Sequence, residues 1–203
     1  MLRVKKILKV SLVYPLIMLS FVVIARPANA GEWRFPVGLG YAGGFDEIAD
    51  IYENNLEKEG YLVEDSSSLP VGLSFNPYLQ FDSGFRVGGG MGPMMLIMGD
   101  ASHFGLPINL NVGFTFLPKS NVSPYVKVGV SHQIASGDYV EGSDPGLLGA
   151  IGVEFLRKKA VGFGFEIGFD KSEVELEKKL TATTSKMEKV RPVDVVVSFY
   201  AVF

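Results

Sequence analysis

The chain has 203 residues, 47% apolar and 20% charged, which is one domain's worth of material and too apolar for a disordered protein. It holds no cysteine and only two histidines, His103 and His132. That excludes structural disulfides, thiolate zinc sites and lipid attachment through cysteine, and leaves little for metal binding or catalysis by histidine.

The first thirty residues read as an address. Arg3, Lys5, Lys6 and Lys9 precede an apolar run from Val10 to Ala25, and Ala28-Asn29-Ala30 is the small-x-small pattern that signal peptidase cuts. At 16 residues, with Pro15 inside, the run is short for a helix crossing about 30 Å. We expect residues 1–30 to be a signal peptide cleaved after Ala30, and residues 31–203 to be one exported domain. Cleavage removes five of the 19 basic residues and no acid, leaving 14 against 22 and a net charge of −8. An acidic exported chain has no evident nucleic-acid partner. All 24 glycines follow the leader, where they make up about 14% of the residues against a usual share of about 7%.

Beyond Gly31 the hydrophobic period is two. Eight segments alternate: Trp33–Ala42, Leu69–Phe81, Phe85–Met98, Leu106–Phe116, Tyr125–Ile134, Leu147–Phe155, Val161–Phe169 and Val193–Phe203. The third and sixth alternate least cleanly. Each is about as long as the 9–11 residues a tilted strand needs to cross a bilayer. Connectors after the second, fourth and sixth segments are short, and those after the first and seventh are long. This rhythm fits an even barrel with tight turns on one side and loops on the other. In a soluble barrel the polar faces would be rich in Lys, Glu and Thr; here they hold mainly Gly, Asn and Ser, which suits a narrow interior instead. The expected fold is therefore all-β, an eight-stranded antiparallel up-and-down transmembrane barrel. Trp33, Phe81, Phe85, Phe116, Phe155 and Phe203 all fall on the apolar face at the short-turn ends, as an interfacial girdle.

With these features the chain resembles the small eight-stranded outer-membrane β-barrels of Gram-negative bacteria, of the OmpA membrane-domain and OmpX type. The resemblance spans residues 31–203. Its most specific element is the last strand, where Val197, Phe199 and Phe203 match the family's assembly signal, with Ala201 standing where an aromatic is frequent. It implies a place in the outer membrane among lipid and lipopolysaccharide, with periplasmic chaperones and the barrel-assembly machinery as partners during biogenesis. It implies no cofactor. Enzymes of this size carry a His, a Ser and an acid near one rim. The candidates here, Ser102-His103 in the second loop and Ser131-His132 on the fifth strand, lack the His-x-Ser-Asn pattern of the deacylases, so no catalytic residues are expected.

Three further readings concern the interior and the loops. Arg34, Arg86, Lys127, Glu154, Glu166 and Asp194 point inward by parity, and the balance of signs suggests an internal salt-bridge plug, with Glu154 best placed to meet the three cations. Met94, Leu96, Met98, Leu148, Ala150 and Val196 also point inward on the loop side, where they would suit a small hydrophobic molecule. The weak alternation of the third and sixth strands instead favours a register shift that turns several of them to lipid. In the first loop, Phe45, Ile48, Ile51, Tyr52 and Leu56 recur at helical spacing among many acids, which reads as a short amphipathic helix over the barrel mouth. Those acids lack EF-hand spacing. Val174 and Leu176 in the fourth loop suggest that the last two strands extend as a hairpin. The first and fourth outer loops are the expected meeting place for a surface ligand. The expected role is structural and adhesin-like around a mostly plugged lumen, with a narrow porin or a small hydrophobic-molecule channel as the alternative.

Overall fold

The structure is a computed structural model that describes residues 31–61, 71–98 and 100–203. The leader, the cleavage site after Ala30 and the part of the first loop holding Glu64 and Asp65 lie outside the described residues. The barrel is a closed, eight-stranded antiparallel sheet. Three of its strands are broken once each. The first comprises β1 (Gly31–Arg34) and β2 (Pro36–Ala42), the second β3 (Val71–Phe75) and β4 (Tyr78–Phe81), and the third β5 (Phe85–Met91) and β6 (Met94–Met98). The other five are continuous: β7 (Ala101–Thr115), β8 (Val122–Gly137), β10 (Gly146–Phe155), β11 (Gly162–Asp170) and β14 (Asp194–Val202). The wall runs from β2 and β3 through β5, β7, β8, β10 and β11 to β14, which pairs back onto β2 from Val196↔Ala42 to Val202↔Pro36. Phe35 and Phe203 exchange backbone hydrogen bonds at the inner end of this seam.

Alternation along the strands puts the apolar residues outside. Leu110, Val112 and Phe114 on β7, Val128 and Val130 on β8, and Phe165 and Ile167 on β11 are all exposed. An apolar surface of this extent, on a sheet whose edges are closed, is the arrangement that spans lipid. The third strand keeps one parity throughout: Leu96 is 8% exposed, while its neighbours Met95 and Ile97 are 66% and 67% exposed. The expected register shift does not occur there or in β10, where Leu148 and Ala150 are buried. The irregularity in the third strand is a break at Gly92-Pro93, where proline has no N–H to give the ladder. Removing two residues from pairing preserves inside and outside.

The periplasmic-type turns are tight. Gly84 (φ 93°), Leu117 (φ 55°) and Leu156 (φ 56°) each take a left-handed conformation just beyond or before a strand end. At Gly84 a side chain would strike the Thr115 carbonyl and the Phe114 ring.

Three elements stand on the opposite side. The predicted loop helix forms as α1 (Phe45–Lys58), and the fourth-loop hairpin forms as β12 (Glu173–Thr181) and β13 (Thr184–Val190). Short β9 (Val140–Asp144), after β8, completes a second sheet in the order β13-β12-β9. The second loop is much shorter than expected, because β7 begins at Ala101 and forms a tight hairpin with β6. The amphipathic face of α1 buries Phe45, Ile48, Ile51, Tyr52 and Leu56 against Met94, Leu96 and Met98 of the barrel and Val174, Leu176 and Val190 of the hairpin. Each such side chain contributes roughly 1.5–3 kcal/mol. The packed core is thus at the loop end of the molecule.

The register makes a measurable claim. Leu110→Arg, at mid-strand on the outer face, should cost about 2–4 kcal/mol in folding into lipid vesicles, while Leu117→Arg, in a short turn, should cost at most about 1 kcal/mol. Equal costs would show that the apolar face is not the lipid face.

Candidate functional site

The lumen holds two connected polar layers. Glu154 on β10 is the centre of the one nearer the short turns. It is fully buried, and both its oxygens accept from the Tyr78 hydroxyl at 2.7 Å. Arg157 Nε lies 3.0 Å and Arg86 Nη1 3.5 Å from its carboxylate, within ion-pair distance though not aligned for hydrogen bonds. Arg157 donates as well to Gln80 Oε1 at 2.5 Å and to the Pro118 carbonyl at 3.0 Å, and Thr115 donates to the same Gln80 oxygen at 3.2 Å.

Glu166 on β11 organises the next layer. It accepts from Tyr125 at 2.6 Å and pairs with Lys127 Nζ at 2.7 Å, and the Tyr125 and Tyr200 hydroxyls share a hydrogen bond of 2.7 Å. Arg86 joins the layers, its guanidinium lying between the rings of Tyr78 and Tyr125 at 3.7 and 4.1 Å from their centroids. Such stacking stabilises a desolvated cation by about 2 kcal/mol. The tyrosines fit because glycines face them. A side chain at Gly164 would overlap the Tyr200 ring, and one at Gly152 the Tyr125 ring. The glycine-rich inner face is a mould for large polar side chains.

The predicted network is therefore regrouped. Glu154 meets Arg86 but not Lys127, which pairs with Glu166. Arg34 stays near the inner opening, bound to Glu32 at 2.7 Å and to the Arg157 carbonyl at 3.2 Å. Asp194 leaves the network: its side chain is 42% exposed and pairs with Lys171 at 2.6 Å on the outer rim. It faces Asp170 across the ladder, so a second carboxylate turns away from the first and toward a cation outside. The second guanidinium at Glu154 comes from Arg157, a turn residue that parity along a strand does not place.

Trp33, Phe85, Phe116, Phe155 and Phe203 are exposed on the outer face at the short-turn end, and Phe81 lies half-buried against Phe85 with ring centroids 6.0 Å apart. Of the last-strand residues, Phe199 is exposed, stacked on Phe163 at 6.3 Å, and Val197 is half-buried. His103 is a correction: it lies on β7 and not in a loop, turned inward and fully buried. Ser102 therefore points the other way. Ser131 likewise points inward, to the Ser172 hydroxyl that also accepts from Gln133, while its neighbour His132 faces out. Strand alternation separates each Ser-His pair. Among the described residues no group of three or more His, Asp and Glu could hold a metal ion.

No protein-family model matches the chain, and no curated protein matches it in sequence. Solved structures do match. The outer membrane protein OprG from Pseudomonas aeruginosa superposes with a TM-score of 0.56 at 12% identity, over 85% of this chain and 95% of that one. Outer Membrane Protein W from E. coli gives a TM-score of 0.50 at 18% identity, over 86% of this chain and 98% of that one. The fold is that of a small outer-membrane β-barrel. Such a barrel is just wide enough for side chains to fill, and here the filling is ionic.

Glu154→Gln leaves Arg86 and Arg157 facing a neutral amide in a lumen that cannot hydrate them. The loss should be about 3–5 kcal/mol, read as a lower unfolding temperature of the refolded barrel. Asn109→Ala removes only a neutral acceptor of the Asn111 amide, worth about 1 kcal/mol. If the Glu154→Gln barrel unfolds with the wild-type one, the ion-paired plug is the wrong description.

Proposed function

We propose that the chain is an integral outer-membrane protein, exported by its cleavable leader, with a structural and surface-interaction role around a closed lumen. The observation that carries this reading is the stacking of fillings along the barrel axis. The two ion-paired layers occupy the inner part of the lumen, and the apolar core beneath α1 occupies the outer part. No ring of like charge forms an ion-selecting constriction among the described residues: Glu154 and Glu166 are each engaged by a cation, and Asp170, further out, accepts from the Ser172 N–H and hydroxyl.

What the fold presents outward is anchored by specific polar contacts. Asn55 of α1 donates to the Glu177 carbonyl at 2.6 Å and accepts from the Lys179 N–H at 2.7 Å, so one side-chain amide continues the β12 ladder where β9 ends. Asn54 adds a bond to the Lys179 carbonyl at 2.9 Å, and Lys179 pairs with Glu59. On the sheet, hydrogen bonding from Lys189 holds the Asp144 carboxyl below its ordinary range and raises Lys189 in return. Lys186 and Lys178 hold Glu188 down in the same way. The outer sheet ends in β13, an edge strand whose backbone can accept a partner strand. The OmpX likeness of the last hairpin belongs to the same reading.

The decisive measurement is single-channel recording of the refolded protein in planar bilayers. The expected result is silence, and a steady nanosiemens-scale conductance would replace this reading with that of a porin.

A second reading has one observation in its favour. Above the ionic layers lies a cavity of about 110 Å³, walled by Met94, Leu148, Ala150 and Val196 and floored by Asn109 and Lys127. Beside it the wall is thin: β3 and β5 pair only at Phe75↔Met91, and among the described residues β6 has a ladder with β7 alone. A small apolar molecule fits this space. If it is a binding site, Ala150→Phe should abolish retention of a small apolar fluorophore by vesicles holding the barrel. Retention unchanged by that substitution would leave the cavity as a packing defect.

A further inference from the structure

Among the described residues, the barrel wall beneath α1 turns one imidazole into a cluster otherwise made of apolar and phenolic side chains. His103, the third residue of β7, is fully buried, with the rings of Tyr52 and Phe45 edge-on to it at 5.7 and 6.2 Å between centroids. Its Nε2 has no hydrogen-bond partner, and its Nδ1 lies 3.5 Å from the Tyr52 hydroxyl, which donates at 3.1 Å to the Ser102 carbonyl. Burial pushes that hydroxyl up to about 12, so it remains a donor at any ordinary pH. Across the ladder from His103 stands Gly137, where a side chain would block the path of the Tyr52 hydroxyl. The chain thus leaves a slot that seats Tyr52 of the helix directly over the imidazole.

The neighbouring titratable groups among the described residues are few, and each is engaged elsewhere. From α1 the titratable group is Tyr52. From the turn after β8 they are Asp138, whose carboxylate accepts from the Ser102 N–H at 2.8 Å, and Tyr139, which donates to Glu59 at 3.2 Å. From β6 the residue paired with His103 is Leu96. Among the described residues no carboxylate hydrogen-bonds the ring.

We propose that α1 is a lid over the upper lumen that acid loosens, with His103 as the proton acceptor beneath it. A neutral imidazole is tolerated in this cluster, whereas an imidazolium there loses its hydration and gains no hydrogen-bonded anion among the described residues, the Asp138 carboxylate being engaged by the Ser102 N–H. Raising the lid lets water reach the ring. The open form therefore binds the proton more tightly than the closed one. The closed form keeps its full advantage above the ordinary histidine value of about 6.5. Below it the closed-to-open ratio falls by up to about tenfold per pH unit, until the ring protonates in the closed form as well. The chain is jointed for such a motion. Gly43 and Gly44 fix the first end of α1 against the backbone of Val195 and Arg191, and Gly60, at φ 91° with open space around it, leaves the other end free to swing. The polar anchors Asn54, Asn55 and Glu59 hold the other side of the helix to β12 without involving His103.

Hydrogen exchange of the α1 amides, in full-length mature protein refolded into vesicles, tests this once corrected for the intrinsic pH dependence of exchange. Between about pH 6.5 and about pH 5, opening of α1 should rise by up to about tenfold per unit, while amides of β10 and β11 stay protected. In His103→Phe and in His103→Gln, which serves should phenylalanine disturb folding, α1 opening should be flat across the same range. Glu59→Gln should keep the wild-type slope. A flat wild-type profile, a slope that survives in the His103 variants, or a slope lost in Glu59→Gln would each overturn the proposal.

Discussion

A wall that faces lipid must pair every backbone amide within the chain, and a sheet does so only by returning to its first strand. Here the return is made by β14 on β2, down to the bonds between Phe35 and Phe203. Closing at eight strands then dictates what lies inside. The interior is too narrow for bulk water and too wide to leave empty. Side chains must fill it, and the pleat reserves every second position for them. Glycine opposite tyrosine is the solution this chain adopts, with Gly164 facing Tyr200 and Gly152 facing Tyr125.

Filling a narrow lumen with ionisable groups brings an electrostatic constraint. In the two layers three cations, Arg86, Arg157 and Lys127, meet two carboxylates, Glu154 and Glu166. The surplus positive charge is spread over neutral acceptors and π faces. Arg157 reaches the Gln80 amide oxygen and the Pro118 carbonyl, and Arg86 lies between two tyrosine rings. The arginines suit this role because a planar guanidinium is weakly hydrated and presents several donors at once. The one lysine has a carboxylate to itself.

The barrel was legible in the sequence because lipid and lumen impose a period of two on every strand, and because that period survives the break at Gly92-Pro93. The same rule placed Glu154 and Arg86 inside. It could not place Arg157, which belongs to a turn and reaches the lumen only because the left-handed Leu156 redirects the chain. Parity assigns a face but not a depth, so it groups Asp194 with the lumen charges when its height puts it at the rim beside Lys171. Clean apolar alternation begins at Leu106 and leaves His103 outside it, whereas β7 runs on through Ala101–Gly105 as a wall that packs against a helix. The helical spacing of Phe45 to Leu56 announced α1. Nothing local announced that Asn55 would cap the unpaired stretch of β12, since that partnership joins residues more than a hundred positions apart.

These differences share a cause that also divides the molecule energetically. The inner half is built on the membrane pattern, with apolar residues outside and charge within, and among the described residues its segments other than β1, which pairs with β4, are tied to two neighbours. The outer half is built like a soluble domain, with α1 and the β12–β13 hairpin burying an apolar core of their own. That core adds to the ladder but is not required for it, because closure is complete along β2–β14 and β10–β11 without any contribution from α1. Elements held by side-chain packing and a few polar anchors open at lower cost than strands in a closed ladder. The chain therefore carries a rigid wall and a separable outer layer, and any response to surroundings is confined to the layer that can move without breaching the membrane.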